Sequence, residues 1–168
     1  MRWFTTLATD LDICMTSDDF NNINPARPAW LAVLARATRP QLEAMAPAAD
    51  ELKTLKQVRP AEVGMVMLRG RVGGTGNPFN LGEASVVRCA VRLGEGPLGV
   101  SYALGRDKRR AELAALFDAM LQDPQHFEEL RRGLIAPLAL AQSQARAQTQ
   151  RNVAASKVEF FTFVRGEA

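Results

Sequence analysis

The fold is decided by residues 69–105, RGRVGGTGNPFNLGEASVVRCAVRLGEGPLGVSYALG. Two runs in this stretch, 84–93 and 98–104, have the residue types of β-strands, and turns rich in Gly, Pro and Asn bound them. Short runs separated by such turns are typical of antiparallel strands that follow one another in the chain. The sequence on either side has mostly helical patterns. We therefore predict an α+β fold in which helices cover an antiparallel meander sheet.

The central strands are predicted at about residues 63–72, 83–93 and 97–104, and a C-terminal strand at about 157–164. The C-terminal run has aromatic residues on both faces, and a strand that is apolar on both faces needs burial on both. We expect this strand either to enter the sheet or to insert into another subunit.

Proline also marks the start of the sheet. Residues 52–59 are a candidate first strand, and Pro60 would restrict that strand to an edge or a bulge because proline lacks the backbone N–H.

Alternation of side chains sorts the arginines of the strands. Arg69 and Arg71 share one face of their strand, and Arg88 and Arg92 share one face of the next strand. A favourable register would bring the four arginines together, and one sequence leaves the register open.

Capping residues and prolines predict the helices. Helices are expected to begin at Pro28, after Thr38, after Asp107, after Asp123 and at Pro137. The last of these is Ala- and Gln-rich and extends to about residue 157. Its few large apolar residues leave two readings open, a helix packed on a partner and a well-solvated helix.

Size and composition bound the class of protein. The chain has 168 residues with 47% hydrophobic and 23% charged residues, which is typical of a globular protein. Residues 1–26 are predicted to be an N-terminal extension, possibly disordered, and residues 27–168 a single domain. No apolar run is long enough to cross a membrane, no secretory signal is recognisable, and two cysteines favour the cytoplasm. Cys89 is predicted to be a buried small hydrophobe.

The positive charge lies in the middle of the chain. Residues 1–62 have seven Lys/Arg and eight Asp/Glu, residues 63–110 have eight and three, and residues 111–168 have six and seven. The net charges are therefore −1, +5 and −1, which sum to the +3 of the whole chain. A basic segment around glycine turns indicates an anionic partner, which is a phosphate compound, a nucleic acid or an acidic protein surface.

The candidate site residues follow from this charge. They are predicted to line a polyanion site or a subunit contact, and the turn between the first strands offers backbone N–H groups for an anion or is simply a hairpin turn. The candidates are Arg69, Arg71, Gly73, Gly74, Gly76, Arg88, Arg92, Arg106 and Lys108. Phe160, Phe161 and Phe163 are the candidate partner interface.

Sequence motifs of self-sufficient catalysis are missing. Gly76 is followed by Asn77 where a phosphate-binding Walker loop needs Lys, and the glycines open a strand where a dinucleotide fingerprint opens a helix. No zinc pattern and no nucleophile elbow is present, and His126 is expected at a helix surface. The residues therefore favour a subunit that completes another chain's site, with no metal and an unknown catalytic set. A small basic nucleic-acid-binding module and a stand-alone phosphotransfer enzyme are the alternatives.

Three blocks carry a resemblance to a known family. They are RVGGTGNPFNLGEASVVRCAVRL (71–93), GRDKRRAELAALFDAMLQ (105–122) and ASKVEFFTFVRG (155–166). In this order and spacing they resemble the G subunit of the bacterial phosphonate carbon–phosphorus lyase core complex, the PhnG family. The resemblance begins near Trp30 and extends to the C-terminus.

The resemblance implies a role in phosphonate catabolism. Such G subunits assemble with H, I and J subunits, of which I is expected to be the closest neighbour, and the L subunit joins transiently. With H, I and L, the G subunit supports the transfer of the ribose 5-triphosphate of ATP onto an alkylphosphonate, and adenine is released. Mg²⁺ would accompany ATP, while the iron–sulfur cluster and S-adenosylmethionine belong to the J subunit. The resemblance thus implies a cytoplasmic transferase subunit without activity on its own and without membrane or nucleic-acid partners.

Overall fold

A computed structural model of the chain describes residues 25–47 and 54–156. Three strands form one antiparallel sheet in the order β1 (Leu55–Arg71), β2 (Pro78–Leu93) and β3 (Leu98–Leu104). This sheet and the helices around it confirm the predicted α+β fold with an antiparallel meander. The predicted strand at 157–164 and the predicted extension up to residue 24 lie outside the described residues.

The first strand is longer than the sequence predicts. The candidate strand ending at residue 59 and the strand predicted from residue 63 are one strand, β1, so the predicted break between them is wrong. The pairing shifts between Arg59 and Glu62, where Pro60 and Ala61 form a bulge opposite β2. Because β1 is an edge strand, it tolerates the missing N–H of Pro60, as expected for an edge or bulge position.

The hairpin of β1 and β2 extends well beyond β3. The third strand pairs only with residues 86–92 of β2, whereas β1 and β2 remain paired as far as Arg71 and Pro78. Residues 64–71 and 78–85 therefore form a two-stranded ribbon, which we call the arm. The turn 72–77 closes its tip, where residues 72–74 form a short 3-10 helix.

Five α-helices accompany the sheet in the described part of the chain. They are α1 (Arg27–Leu34), α2 (Arg39–Glu43), α3 (Lys108–Leu121), α4 (Pro124–Leu130) and α5 (Ala136–Ala155), and a π-helical turn (Arg131–Ile135) connects the last two. The predicted caps are confirmed: Asp107 accepts the N–H of Arg110 at 3.0 Å and Asp123 accepts the N–H of Gln125 at 2.9 Å.

The core lies around α3, which is the most buried helix described. One face of α3 packs on the sheet, where Ala111 and Ala115 meet Val87, Cys89 and Val91. The other side of α3 packs on the remaining helices through a second cluster, which includes Trp30, Leu34, Leu113, Phe117, Leu121 and Leu134. Helices thus cover one face of the sheet, and the arm projects past them.

A buried carboxylate holds α1, α3 and β3 together. The Asp118 side chain, which is fully buried, accepts hydrogen bonds from Arg27 Nη2 at 2.7 Å, Trp30 Nε1 at 2.8 Å and the Val100 N–H at 2.8 Å. Burying a carboxylate costs free energy unless hydrogen bonds and a countercharge compensate it, and here both do. The sequence signal for this buried carboxylate is an Asp within the apolar run of a helix.

Candidate anion-binding and subunit-contact surfaces

The tip of the arm carries the first two candidate arginines and the glycines. Gly73 has a positive φ of 60°, and the Gly76 N–H donates to the Val72 C=O at 2.9 Å. A Cβ at Gly76 would lie 2.8 Å from that same oxygen, so no larger residue fits this turn. Arg71 donates from Nη1 to the Gly76 C=O at 3.1 Å. These contacts explain the glycines as hairpin-turn residues, and anion binding by this turn stays a prediction.

The register does not gather the four arginines of the strands. Arg69 lies opposite Asn80 at the tip, whereas Arg88 lies eight residues further along β2, opposite Glu62. At a strand rise of about 3.4 Å per residue, Arg88 is about 27 Å from the position opposite Arg69. The faces differ as well. Arg69 shares the face of Val63, whose partner Val87 enters the α3 face, whereas Arg88, the neighbour of Val87, points to the opposite face.

Arg88 and Arg92 lie on the sheet face that α3 does not cover. Arg88 Nε donates to Glu62 Oε1 at 2.6 Å, so much of its charge is compensated by a partly exposed ion pair. The Arg92 side chain has no hydrogen bond or ion pair within the described ranges, and the exposed Tyr102 lies opposite Arg88 on β3. This surface combines two cations with one aromatic ring.

A second group of cations lies at the start of α3. The Gly105 N–H donates to the Ser85 C=O at 2.8 Å, which places this group beside the base of the arm. The Arg110 side chain donates from Nη2 to the Leu104 C=O. Arg109 pairs with Glu112 at 3.4 Å, a contact that leaves it largely exposed.

Arg106 and Lys108 are the uncompensated members of this group. Both are exposed, and among residues 25–47 and 54–156 neither side chain has a hydrogen bond or ion pair. They lie at the N-terminus of a 14-residue helix, whose dipole disfavours cations there unless an anion is close. The local electrostatics thus leave these two side chains suited to an anionic group of another molecule.

The described residues contain no metal-binding cluster, and their histidine and cysteine occupy the predicted positions. No group of three or more His, Cys, Asp or Glu side chains in these ranges could hold a metal ion. His126 lies on α4 with Nδ1 3.3 Å from Asp123 Oδ2, which confirms the expected surface position. Cys89 is buried, as predicted, and burial raises the pKa of its thiol to about 11. A thiol with that pKa is not an activated nucleophile at neutral pH.

The long C-terminal helix extends away from the core. Leu138 is its only buried residue, and Leu140 and Val153 further along are exposed. A cavity of about 490 Å³ lies between α1 and α5, where Gln142 Nε2 donates to the Val33 C=O at 3.0 Å.

The candidate interface residues Phe160, Phe161 and Phe163 lie outside the described residues. Among the helices that the structure describes, none is long and apolar enough to cross a membrane.

These features define an α+β domain with unpaired surface cations, an uncovered hairpin arm and, within its described residues, no group of three or more metal-ligating side chains. Comparison with known proteins makes the class specific. The model of the family of phosphonate metabolism protein PhnG matches residues 25–166. The chain is also 43% identical over 160 residues to the alpha-D-ribose 1-methylphosphonate 5-triphosphate synthase subunit PhnG of Rhizobium meliloti (strain 1021), which covers 94% of this chain and 99% of that protein. The chain belongs to the PhnG family.

Proposed function

We propose that this chain is a subunit of an alpha-D-ribose 1-methylphosphonate 5-triphosphate synthase and that it is inactive alone. The observation that carries the proposal is the 43% identity to a subunit of that name, over 99% of its length. The described residues add support, because they form no metal-binding group and their one described cysteine is buried with a raised pKa. A chain of this kind contributes surfaces to a complex whose other subunits do the chemistry.

The reaction proposed for the complex is a transferase reaction. Together with the H, I and L subunits, the chain supports transfer of the ribose 5-triphosphate moiety of ATP onto an alkylphosphonate, with release of adenine. Mg²⁺ accompanies ATP, and the chain itself holds no cofactor; the iron–sulfur cluster and S-adenosylmethionine belong to the J subunit. Both substrates are anions, which suits a segment with a net charge of +5 in residues 63–110.

Arg106 and Lys108 are the positions that we propose for contact with the triphosphate. They are exposed, their side chains have no ion pair within the described ranges, and they lie beside the first backbone N–H groups of α3. Cations next to a helix N-terminus favour a bound phosphate, which accepts hydrogen bonds from both kinds of donor. Arg88 is a weaker candidate because Glu62 already neutralises it.

The subunit contacts are proposed on the parts of the chain that its own core leaves uncovered. The I subunit is the proposed nearest neighbour, H and J complete the core complex, and L binds transiently. The exposed length of α5 and the aromatic residues Phe160, Phe161 and Phe163 are the proposed contact with I.

Co-expression with the cognate I subunit tests the assembly. We expect a stable hetero-oligomer in size-exclusion chromatography with light scattering. The full set of G, H, I and L subunits should then release adenine from ATP in the presence of methylphosphonate. Adenine release by the purified chain alone would contradict the proposal. A purified chain that is folded but does not bind the I subunit would also contradict it. Tight, steeply salt-dependent oligonucleotide binding by such a chain would instead support a nucleic-acid-binding module.

Charge-matched variants test the anion contact. In the assembled complex, Arg106→Gln and Lys108→Gln should each raise the KM for ATP about tenfold, since a charge-assisted phosphate contact contributes about 1.5 kcal/mol. Arg132→Gln in the π-helical turn that connects α4 and α5 removes an equal charge from another exposed surface and should change the KM less than about twofold. Equal effects of all three variants would show that only the net charge matters.

A further inference from the structure

We infer that the outer edge of β1, over residues 62–70, receives an extended strand of a partner subunit, the I subunit, which continues the sheet as a fourth strand. The inference rests on the proposed function, because the partner is a subunit of the same complex. It goes further in naming the surface, the backbone atoms and the type of segment that binds there.

Backbone alternation shows which groups of β1 are free. The Ser85 C=O points toward β3, where it accepts a hydrogen bond from the residue that follows that strand. The backbone N–H and C=O of the neighbouring residue, Ala84, therefore point toward β1. Those of Val66, the partner of Ala84, point toward β2. Met65 and Met67 consequently direct their N–H and C=O groups away from the sheet. Within the described residues β1 pairs with β2 alone, so these groups have no partner there.

The opposite edge of the sheet is closed by side chains. The Leu98 C=O of β3 accepts hydrogen bonds from Arg27 Nη2 at 3.0 Å and from Gln122 Nε2 at 2.9 Å. The next outward N–H, that of Val100, donates to Asp118 at 2.8 Å. Because its outward groups are already bonded here, the first half of β3 cannot accept another strand without losing these contacts.

The first half of β1 is also protected against strand addition. The bulge at Pro60 interrupts the edge, and Lys56 and Arg59 place charges on it. Proline, bulges and edge charges are the devices by which sheets avoid pairing with other chains. Beyond Glu62 none of these devices occurs before Arg69, and Gly64 makes the edge still more accessible.

The side chains along this second half of β1 are apolar and exposed. Val63, Met65 and Met67 share one face and are 38%, 64% and 52% exposed. A two-stranded ribbon without a third strand or a helix is marginally stable in water. A strand on this edge would form hydrogen bonds with the free backbone groups and would also cover the three exposed apolar side chains.

Charge defines the chemistry of the incoming segment. Arg69 lies at the tip end of this edge and has no ion pair within the described part of the chain. At the other end of the edge, Glu62 is already paired with Arg88. The occupant is therefore an extended segment with apolar side chains on one face and a carboxylate at the end that meets Arg69.

Hydrogen exchange in the complex with the I subunit tests the strand addition directly. The amides of Val63, Met65 and Met67 should exchange at least about a hundredfold more slowly in the complex than in the lone chain, because an edge amide gains protection only when it is bonded. Exchange at the lone-chain rate in a complex that does form would overturn the inference and leave the proposed function standing. Failure to form any complex would overturn both.

Proline variants separate backbone pairing from side-chain packing. Met65→Pro removes one outward N–H without touching a bond to β2, and it should weaken binding of the I subunit at least about tenfold while the lone chain stays folded. Met65→Thr keeps the N–H and the strand propensity and should weaken binding less. Gln57→Pro removes an outward N–H in the protected first half of β1, because its partner Val91 bonds toward β3, and it should leave binding unchanged. Native affinity of Met65→Pro would overturn the inference.

Two other occupants have distinct signatures in the lone chain. If this chain's own segment 157–164 fills the edge, the outward amides are already protected, and deleting residues 157–168 releases them. If a second copy fills it, protection rises with protein concentration. Either result would overturn the assignment to a partner subunit.

Discussion

Replacing Asp118 with alanine should be among the most damaging single changes to stability. The substitution removes the acceptor for the Trp30 indole N–H, the Val100 N–H and the Arg27 guanidinium in a site that is fully buried. An unsatisfied buried donor costs about 1–3 kcal/mol, and breaking a buried ion pair costs about 3–5 kcal/mol. Because Arg27 is partly exposed and can regain water, we expect a loss of about 4 kcal/mol in the free energy of unfolding. That is a large fraction of the roughly 5–15 kcal/mol of a typical domain.

Urea unfolding followed by circular dichroism and by tryptophan fluorescence measures this loss. Glu128→Ala is the matched control, because it removes an exposed carboxylate paired with Arg131 and should cost far less than Asp118→Ala. Arg27→Met combined with Asp118→Ala should cost much less than the sum of the two single changes, since the pair shares one interaction. Additive losses, or a loss below about 1 kcal/mol for Asp118→Ala, would refute the reasoning.

Three further predictions concern the sheet. Gly99→Ala should destabilise the fold by at least about 2 kcal/mol in urea unfolding, because a Cβ at residue 99 would lie 2.0 Å from the Ala115 C=O; a native midpoint would contradict this close approach. Arg88→Ala should cost less than about 1 kcal/mol by the same measurement, since its ion pair with Glu62 is half exposed, and a larger loss would mean that this arginine has a structural role. The pKa of Cys89 is raised to about 11 from an ordinary value of 9.0, so the thiol ionises at a lower pH in the unfolded chain than in the folded chain. The neutral buried thiol therefore contributes its full stabilisation of the fold below pH 9, and this contribution is lost as the pH rises to 11. The difference in unfolding free energy between the native chain and Cys89→Ala should therefore shrink by about 2–3 kcal/mol over that range, and a constant difference would argue against a buried thiol.

The sequence predicted the parts of the fold that depend on local chemistry. Glycine and proline marked the ends of β3, and Asp107 and Asp123 marked the starts of α3 and α4, because caps and turns need particular residue types at particular positions. The error at Pro60 has the same origin. Proline in a strand pattern suggests the end of the strand, whereas an edge strand can carry it at a bulge and continue.

The features that depend on two distant segments could not be predicted. Asp118 has meaning only when Arg27 and Trp30, about 90 residues earlier in the chain, reach it. The register of β1 on β2 likewise depends on the bulges near Pro60 and Leu68, and one shifted residue would have exchanged the faces of the arginines.

The separation of the arginines bears on how the chain divides its work between substrate and partners. The roughly 27 Å between the tip and Arg88 is much longer than the triphosphate of a nucleotide, so one substrate cannot touch both ends of the hairpin. The tip cations adjoin the free edge of β1, which is where we propose that a partner strand binds, and Arg69 then meets a carboxylate of that strand. Arg106 and Lys108 lie at a helix N-terminus beside the base of the arm, and they are the cations that we propose for the polyanion. The positive charge that the sequence places in one segment is therefore best divided between two different partners.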